Sequence, residues 1–139
     1  MFNRILIAFD GSDHARRAAR IAGDLARQQP NVEMCLVVAV NPVPIELGEP
    51  FITDLISERR DTGSALMVEA RALIGEGFSI QEELLFGTPA ESILEAAGSF
   101  DCDLIIMGTR GLGILSGLLL GSQVQKVISL ADAPVLAVK

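Results

Sequence analysis

Gly108-Thr-Arg-Gly111 followed after nine residues by Gly121-Ser122 is the part of this sequence best suited to chemistry. Glycines placed after a buried strand let the backbone approach a ligand closely and adopt positive φ, and the free N–H groups of a helix opening at Ser122 point at an anion. The pattern reads as a phosphate cradle, with a purely structural turn as the alternative, because glycine-rich loops also occur without ligands. The Ser122 hydroxyl either adds a donor to the cradle or caps the helix. Two better-known phosphate motifs fail here. A Walker A loop needs a Lys immediately before its Ser or Thr, and Gly121 holds that place. A dinucleotide fingerprint of Gly111, Gly113 and Gly117 needs an acid at the carboxyl end of the next strand, whereas Asp132 precedes Pro134 at the opposite end.

Asp10 is the second candidate, because it ends an apolar run where a sheet's carboxyl edge begins. It serves either as an acceptor for a base or ribose donor or as an Asx-turn residue ahead of a helix. If the strand order reverses between the first and fourth strands, Asp10 and Gly108 open into the same crevice. Other reactive types are less informative. His14 has no Ser, Cys or Asp at a recognisable spacing and reads as a surface residue. Cys35 and Cys102 form no CxxC pair and cannot build a zinc site with one His, so they read as reduced and structural. Arg110 either meets a terminal phosphate or points to solvent. Glu58-Arg59-Arg60-Asp61 reads as a solvated helix face, and Met67 as core or interface filling. Leu115 and Leu118 to Leu120 form an apolar loop that packs on the domain or joins a partner subunit.

These residues need a scaffold, and the hydrophobic pattern supplies one. Ile5 to Phe9, Val32 to Val40, Asp103 to Met107 and Pro134 to Val138 are continuous apolar runs, the mark of strands buried on both faces. Ser79 to Phe86 is more polar and reads as an edge strand. Between them lie four helical patterns. The first is capped by Ser12 and carries an alanine face through Ala15, Ala18, Ala19, Ala22 and Ala26. A long second one has a weak point near Gly63, where a break would be unsurprising. A third opens at Thr88-Pro89 and closes by Gly98, and a short fourth covers Gln123 to Leu130. Pro42 to Pro50, with three prolines and Gly48, reads as an exposed connection able to act as a lid. The alternation argues a parallel sheet wrapped by helices on both faces.

With 139 residues, half of them apolar and 21% charged, the chain suits one domain spanning 1–139 with a substantial core. Its 11 Lys and Arg against 18 Asp and Glu give a net charge of −7, a field that repels phosphate backbones and anionic lipids. Binding to nucleic acid or a membrane surface by bulk charge is therefore not expected, and any phosphate must be held by local geometry. No signal peptide or membrane-spanning run is apparent, so a cytoplasmic location is expected.

The sequence resembles the universal stress protein family. The family's G-2x-G-9x-G-(S/T) signature is met by Gly108, Gly111, Gly121 and Ser122, with further matches in ILIAFDGS, LVVAV, GTPAESILEAA, DLIIMGTRG and APVLAVK. The resemblance covers the whole chain and implies a five-stranded parallel sheet of order 3-2-1-4-5, an adenine nucleotide alpha hydrolase-like fold. It also implies the ATP-binding subclass, with ATP and Mg²⁺. By position, Ala8 and Asp10 correspond to contacts at the end of the first strand, Val40 to the adenine-facing backbone, and Met107 and Gly108 to the ribose and phosphate side. Gly111, Gly121 and Ser122 correspond to phosphate contacts. Ala39 stands where a His is frequent, and Gln123 where a small apolar residue is usual. The implied function is a nucleotide-dependent regulator of the stress response, acting on an unidentified protein partner and paired as a homodimer through its C-terminal strand. A slow ATPase or nucleotidyl-transfer enzyme using Asp10 and Arg110 is the alternative, as is a nucleotide-free interaction module.

Overall fold

A computed structural model describes residues 1–110 and 120–139, and the expectations placed on Gly111, Gly113, Leu115, Gly117, Leu118 and Leu119 lie outside the described residues. Strands β1 (Arg4–Ala8), β2 (Glu33–Val40), β3 (Ser79–Phe86), β4 (Leu104–Gly108) and β5 (Val135–Val138) form one sheet in the order β3-β2-β1-β4-β5. Every pairing is parallel, with Ile7 opposite Leu36 on one side and Ile106 on the other.

The continuous apolar runs are explained by cover on both faces. Ile5, Ile7, Met34, Leu36 and Val38 pack beneath helices α1 (Asp13–Arg27) and α2 (Phe51–Ile74). Leu6, Cys35, Val37 and Ile105 face the other way, beneath α3 (Pro89–Phe100) and α4 (Ser122–Leu130). Each large aliphatic side chain fully buried this way contributes about 1.5–3 kcal/mol. Cys35 behaves as one more apolar residue: burial, with Glu83 nearby, pushes its thiol up to about 11, so it stays protonated at neutral pH. Both cysteines are free.

Helix α1 starts where Ser12 Oγ accepts the Ala15 N–H at 3.2 Å. Its face of Ala15, Ala18, Ala19, Ala22 and Ala26 is buried, and small side chains let the helix axis come close to the sheet. The approach to α2 is closer still, since a Cβ on Gly23 would lie 2.1 Å from the carbonyl oxygen of Ile74.

Two local expectations are corrected, and the 42–50 connection gains detail. Helix α2 runs unbroken through Gly63, which is buried against the sheet; a Cβ there would lie 2.4 Å from Leu84 Cδ1, so close packing, not a break, accounts for that glycine. Helix α3 continues past Gly98 to Phe100 and is closed by Asp101 in the left-handed conformation, φ 53°. The 42–50 connection is exposed as expected but contains a 3₁₀ turn at Ile45–Leu47.

Replacing Gly23 by Ala tests the helix crossing. Intrinsic propensity alone favours Ala by about 1 kcal/mol. The crossing predicts the opposite sign, a loss of about 1–3 kcal/mol in urea unfolding, because the colliding atom is backbone and cannot turn aside.

Candidate functional site

At β1 the strand order reverses, and the connections leaving β1 and β4 depart to opposite faces of the sheet. Helices α1 and α4 lie on those opposite faces, and the carboxyl ends of the two strands open into a crevice between them. A cavity of about 670 Å³ occupies this place. Ala8, Asp10, Val40, Met107, Gly108, Gly121 and Ser122 all line it, so every described residue of the sequence-derived set meets there.

Asp10 makes the Asx turn and stands at the cavity edge. Its Oδ1 accepts the Ser12 N–H at 2.9 Å. Gly11 makes the turn possible at φ 81°, a conformation that side-chain-bearing residues rarely adopt. Val40 lines the wall, but its carbonyl accepts the Gly87 N–H at 2.9 Å and is thus engaged in the sheet.

Gly108 has a structural duty that spacing alone does not reveal. It is the last residue of β4, and a Cβ on it would lie 2.8 Å from His14 Cβ and 2.9 Å from the Ala15 nitrogen. The first turn of α1 thus rests directly on the strand backbone, which also sets how near Ser12 and Asp10 stand to β4.

Thr109 ties the next segment together. Its N–H donates to the Val138 carbonyl at 2.7 Å, and its own carbonyl accepts the Gly121 N–H at 2.7 Å. The two ends of the glycine-rich segment are therefore pinned side by side. Helix α4 begins at Ser122 with Gly121 as its N-cap, so Ser122 does not cap it, and among the described residues its first N–H groups meet no side-chain acceptor. Arg110 borders the same space, and its buried Nε has no hydrogen-bond partner among the described residues. Such an atom carries a desolvation cost that an anionic ligand would relieve.

Several cavity residues were missed. Leu55, Glu58, Arg59, Thr62 and Leu66 of α2 form one wall, and their three- and four-residue spacing was the available signal. Glu58 and Arg59 thus do not belong to a merely solvated face. Arg59 donates to the Asn41 carbonyl at 2.7 Å and to that of Pro42, tying α2 to the exposed connection. His14 is not a free surface residue: its Nδ1 lies 2.6 Å from Thr109 Oγ1. Thr88 makes no side-chain cap for α3; Gln123 from α4 supplies one, its Oε1 accepting the Ala90 N–H at 2.9 Å. Among the described residues no three His, Cys, Asp or Glu side chains gather into a metal site, and no helix is long and apolar enough to cross a membrane.

The chain belongs to the Universal stress protein family, whose model matches residues 1–139. It is 47% identical over 142 residues to a universal stress protein of Thermus aquaticus, "in QAH/OAS sulfhydrylase 3'region", each chain being covered completely. Among solved structures, hypothetical protein MJ0577, described as a test case for structure-based assignment of biochemical function, superposes with a TM-score of 0.86 at 28% identity. That match covers 100% of this chain and 96% of the other. A universal stress protein in complex with cAMP superposes with a TM-score of 0.73 at 25% identity, covering 99% and 97%. The fold is the adenine nucleotide alpha hydrolase-like one.

The Gln123 cap gives a prediction independent of any ligand. Replacing Gln123 by Ala removes the acceptor for the Ala90 N–H and should cost about 1 kcal/mol in urea unfolding. Gln123→Glu, which keeps an acceptor at that reach, should lose less.

Proposed function

We propose that this chain is a cytoplasmic nucleotide-dependent regulator that binds ATP with Mg²⁺ in the cavity at the carboxyl ends of β1 and β4. The observation that carries the reading is the convergence there of Asp10, Gly108, Gly121 and Ser122 with an α4 N-terminus and an Arg110 Nε for which the described residues offer no side-chain acceptor. The apolar wall of Ala8, Val37, Val40 and Met107 suits a purine, and Asp10 suits a ribose hydroxyl or base amine. The α4 N–H groups and Arg110 suit the phosphates, supplying local positive potential in a protein whose net charge is −7.

Mg²⁺ usually keeps several waters and takes one or two carboxylates together with substrate phosphates. Asp10 and Glu58 are the carboxylates among the described cavity residues, so the site fits a metal that arrives on the nucleotide. A relative crystallised with cAMP supports an adenine nucleotide as the ligand class. Edge strand β5 supports a homodimer, because its outer hydrogen-bonding groups have no neighbour in the sheet and Leu136 is 37% exposed. The intact chain should show a dimeric mass in light scattering, and Leu136→Arg a monomeric one.

Calorimetry of nucleotide-stripped protein with ATP and Mg²⁺ tests the ligand. One equivalent should bind, and Gly121→Val should weaken it by at least about tenfold, or 1.4 kcal/mol. Gly121 has φ −70° and ψ 158°, a conformation open to any side chain, so the variant should keep its melting temperature. Absence of binding heat in a folded wild-type sample would overturn the proposal.

A further inference from the structure

We infer that His14 is a positioning residue for polyphosphate binding: through Thr109 it holds the base of the glycine-rich segment, and so sets how strongly ATP is preferred over unphosphorylated adenosine. The inference rests on the nucleotide reading above and adds to it a residue that touches no ligand.

The geometry converges on Thr109. Its side chain is buried, and its Oγ1 meets His14 Nδ1 at 2.6 Å, short even among polar contacts. Its backbone is engaged in both directions, by Val138 of β5 and by Gly121 at the start of α4. One residue along, the Arg110 carbonyl receives a hydrogen bond from Ser12 Oγ at 3.4 Å, the second link from the first turn of α1. The contact of Gly108 with the His14 and Ala15 backbone fixes that turn against β4, so His14 stands on a rigid platform.

Position then follows a short chain of contacts. His14 fixes Thr109, Thr109 fixes Gly121, and Gly121 sets where the α4 N–H groups and Ser122 stand in the cavity. A shift of this anchor moves the phosphate donors while leaving the β1 and β2 wall, where a base would sit, in place. A purely stabilising contact would affect every ligand alike; an anchor of the phosphate half acts on phosphorylated ligands alone. Misplacement of donors by a fraction of an ångström is enough to weaken a charge-assisted hydrogen bond.

The test compares ATP with Mg²⁺ against adenosine by calorimetry on the full chain, with melting followed by circular dichroism. Thr109→Val keeps the branched shape and deletes only the hydroxyl, so it should fold whatever befalls His14→Leu. Each variant should lose about five- to tenfold in ATP affinity with adenosine affinity unchanged, and the double variant should lose no more than either single one, as expected for partners in one interaction. Thr109→Ser, which restores the hydroxyl, should return ATP affinity to within about twofold of wild type. If wild-type protein binds ATP and both variants bind it equally well, or if ATP and adenosine affinities fall together, the role of His14 is overturned while nucleotide binding stands. If folded wild-type protein binds neither ligand, the nucleotide reading falls and this inference with it.

Discussion

The placement of β1 between β2 and β4 is the constraint from which the rest of the molecule follows. Because α1 and α2 cover one face and α3 and α4 the other, the helices that follow β1 and β4 diverge at this strand and a cavity opens at its carboxyl end. A parallel sheet can bury its strands only by such two-sided cover, so the crevice is a consequence of the same hydrophobic burial that stabilises the fold. The site is thus an opening that the core cannot close, lined by residues at strand ends and helix starts, where backbone polar groups are already short of partners.

The close seat of α1 on β4 turns that opening into a defined geometry. Gly108 admits the backbone of His14 and Ala15, and the alanine face of α1 continues the close approach along the sheet. Ser12, His14 and Thr109 then join the start of α1 to the start of the glycine-rich segment. Parts of the site that follow a glycine spacing therefore divide between two jobs. Gly108 serves helix packing, whereas Gly121 stands as the N-cap of α4 in a backbone conformation that other residues also adopt. Glycine-rich signatures mix such roles, and only the distances separate them.

Much of the fold was legible because strand burial writes itself into composition. Ile5 to Phe9 and Asp103 to Met107 are apolar without alternation, which leaves little choice but a parallel sheet covered on both sides. The more polar Ser79 to Phe86 lies at the exposed edge. Asp10, Gly108 and Ser122 were legible as site candidates because they fall at strand ends or a helix start. The residues that escaped notice depend on approaches between distant segments. Gln123 caps a helix 33 residues earlier in the chain, and Arg59 reaches back to Asn41 and Pro42. Gly63 suggested a break because propensity counts only its own helix, whereas the space it leaves is taken by Leu84 on β3. In each case a local preference was overruled by packing that no window of sequence contains.

The central claim, that an adenine nucleotide lies across the carboxyl ends of β1 and β4 with its phosphates at α4, is tested most directly by backbone amide NMR during titration with ATP and Mg²⁺. The account predicts shifts concentrated at Asp10 to Ser12, at Gly108 to Arg110 and at Gly121 to Gln123, with β3 and the amino ends of the strands unmoved. Saturable shifts centred on another surface, with these amides unchanged, would contradict it.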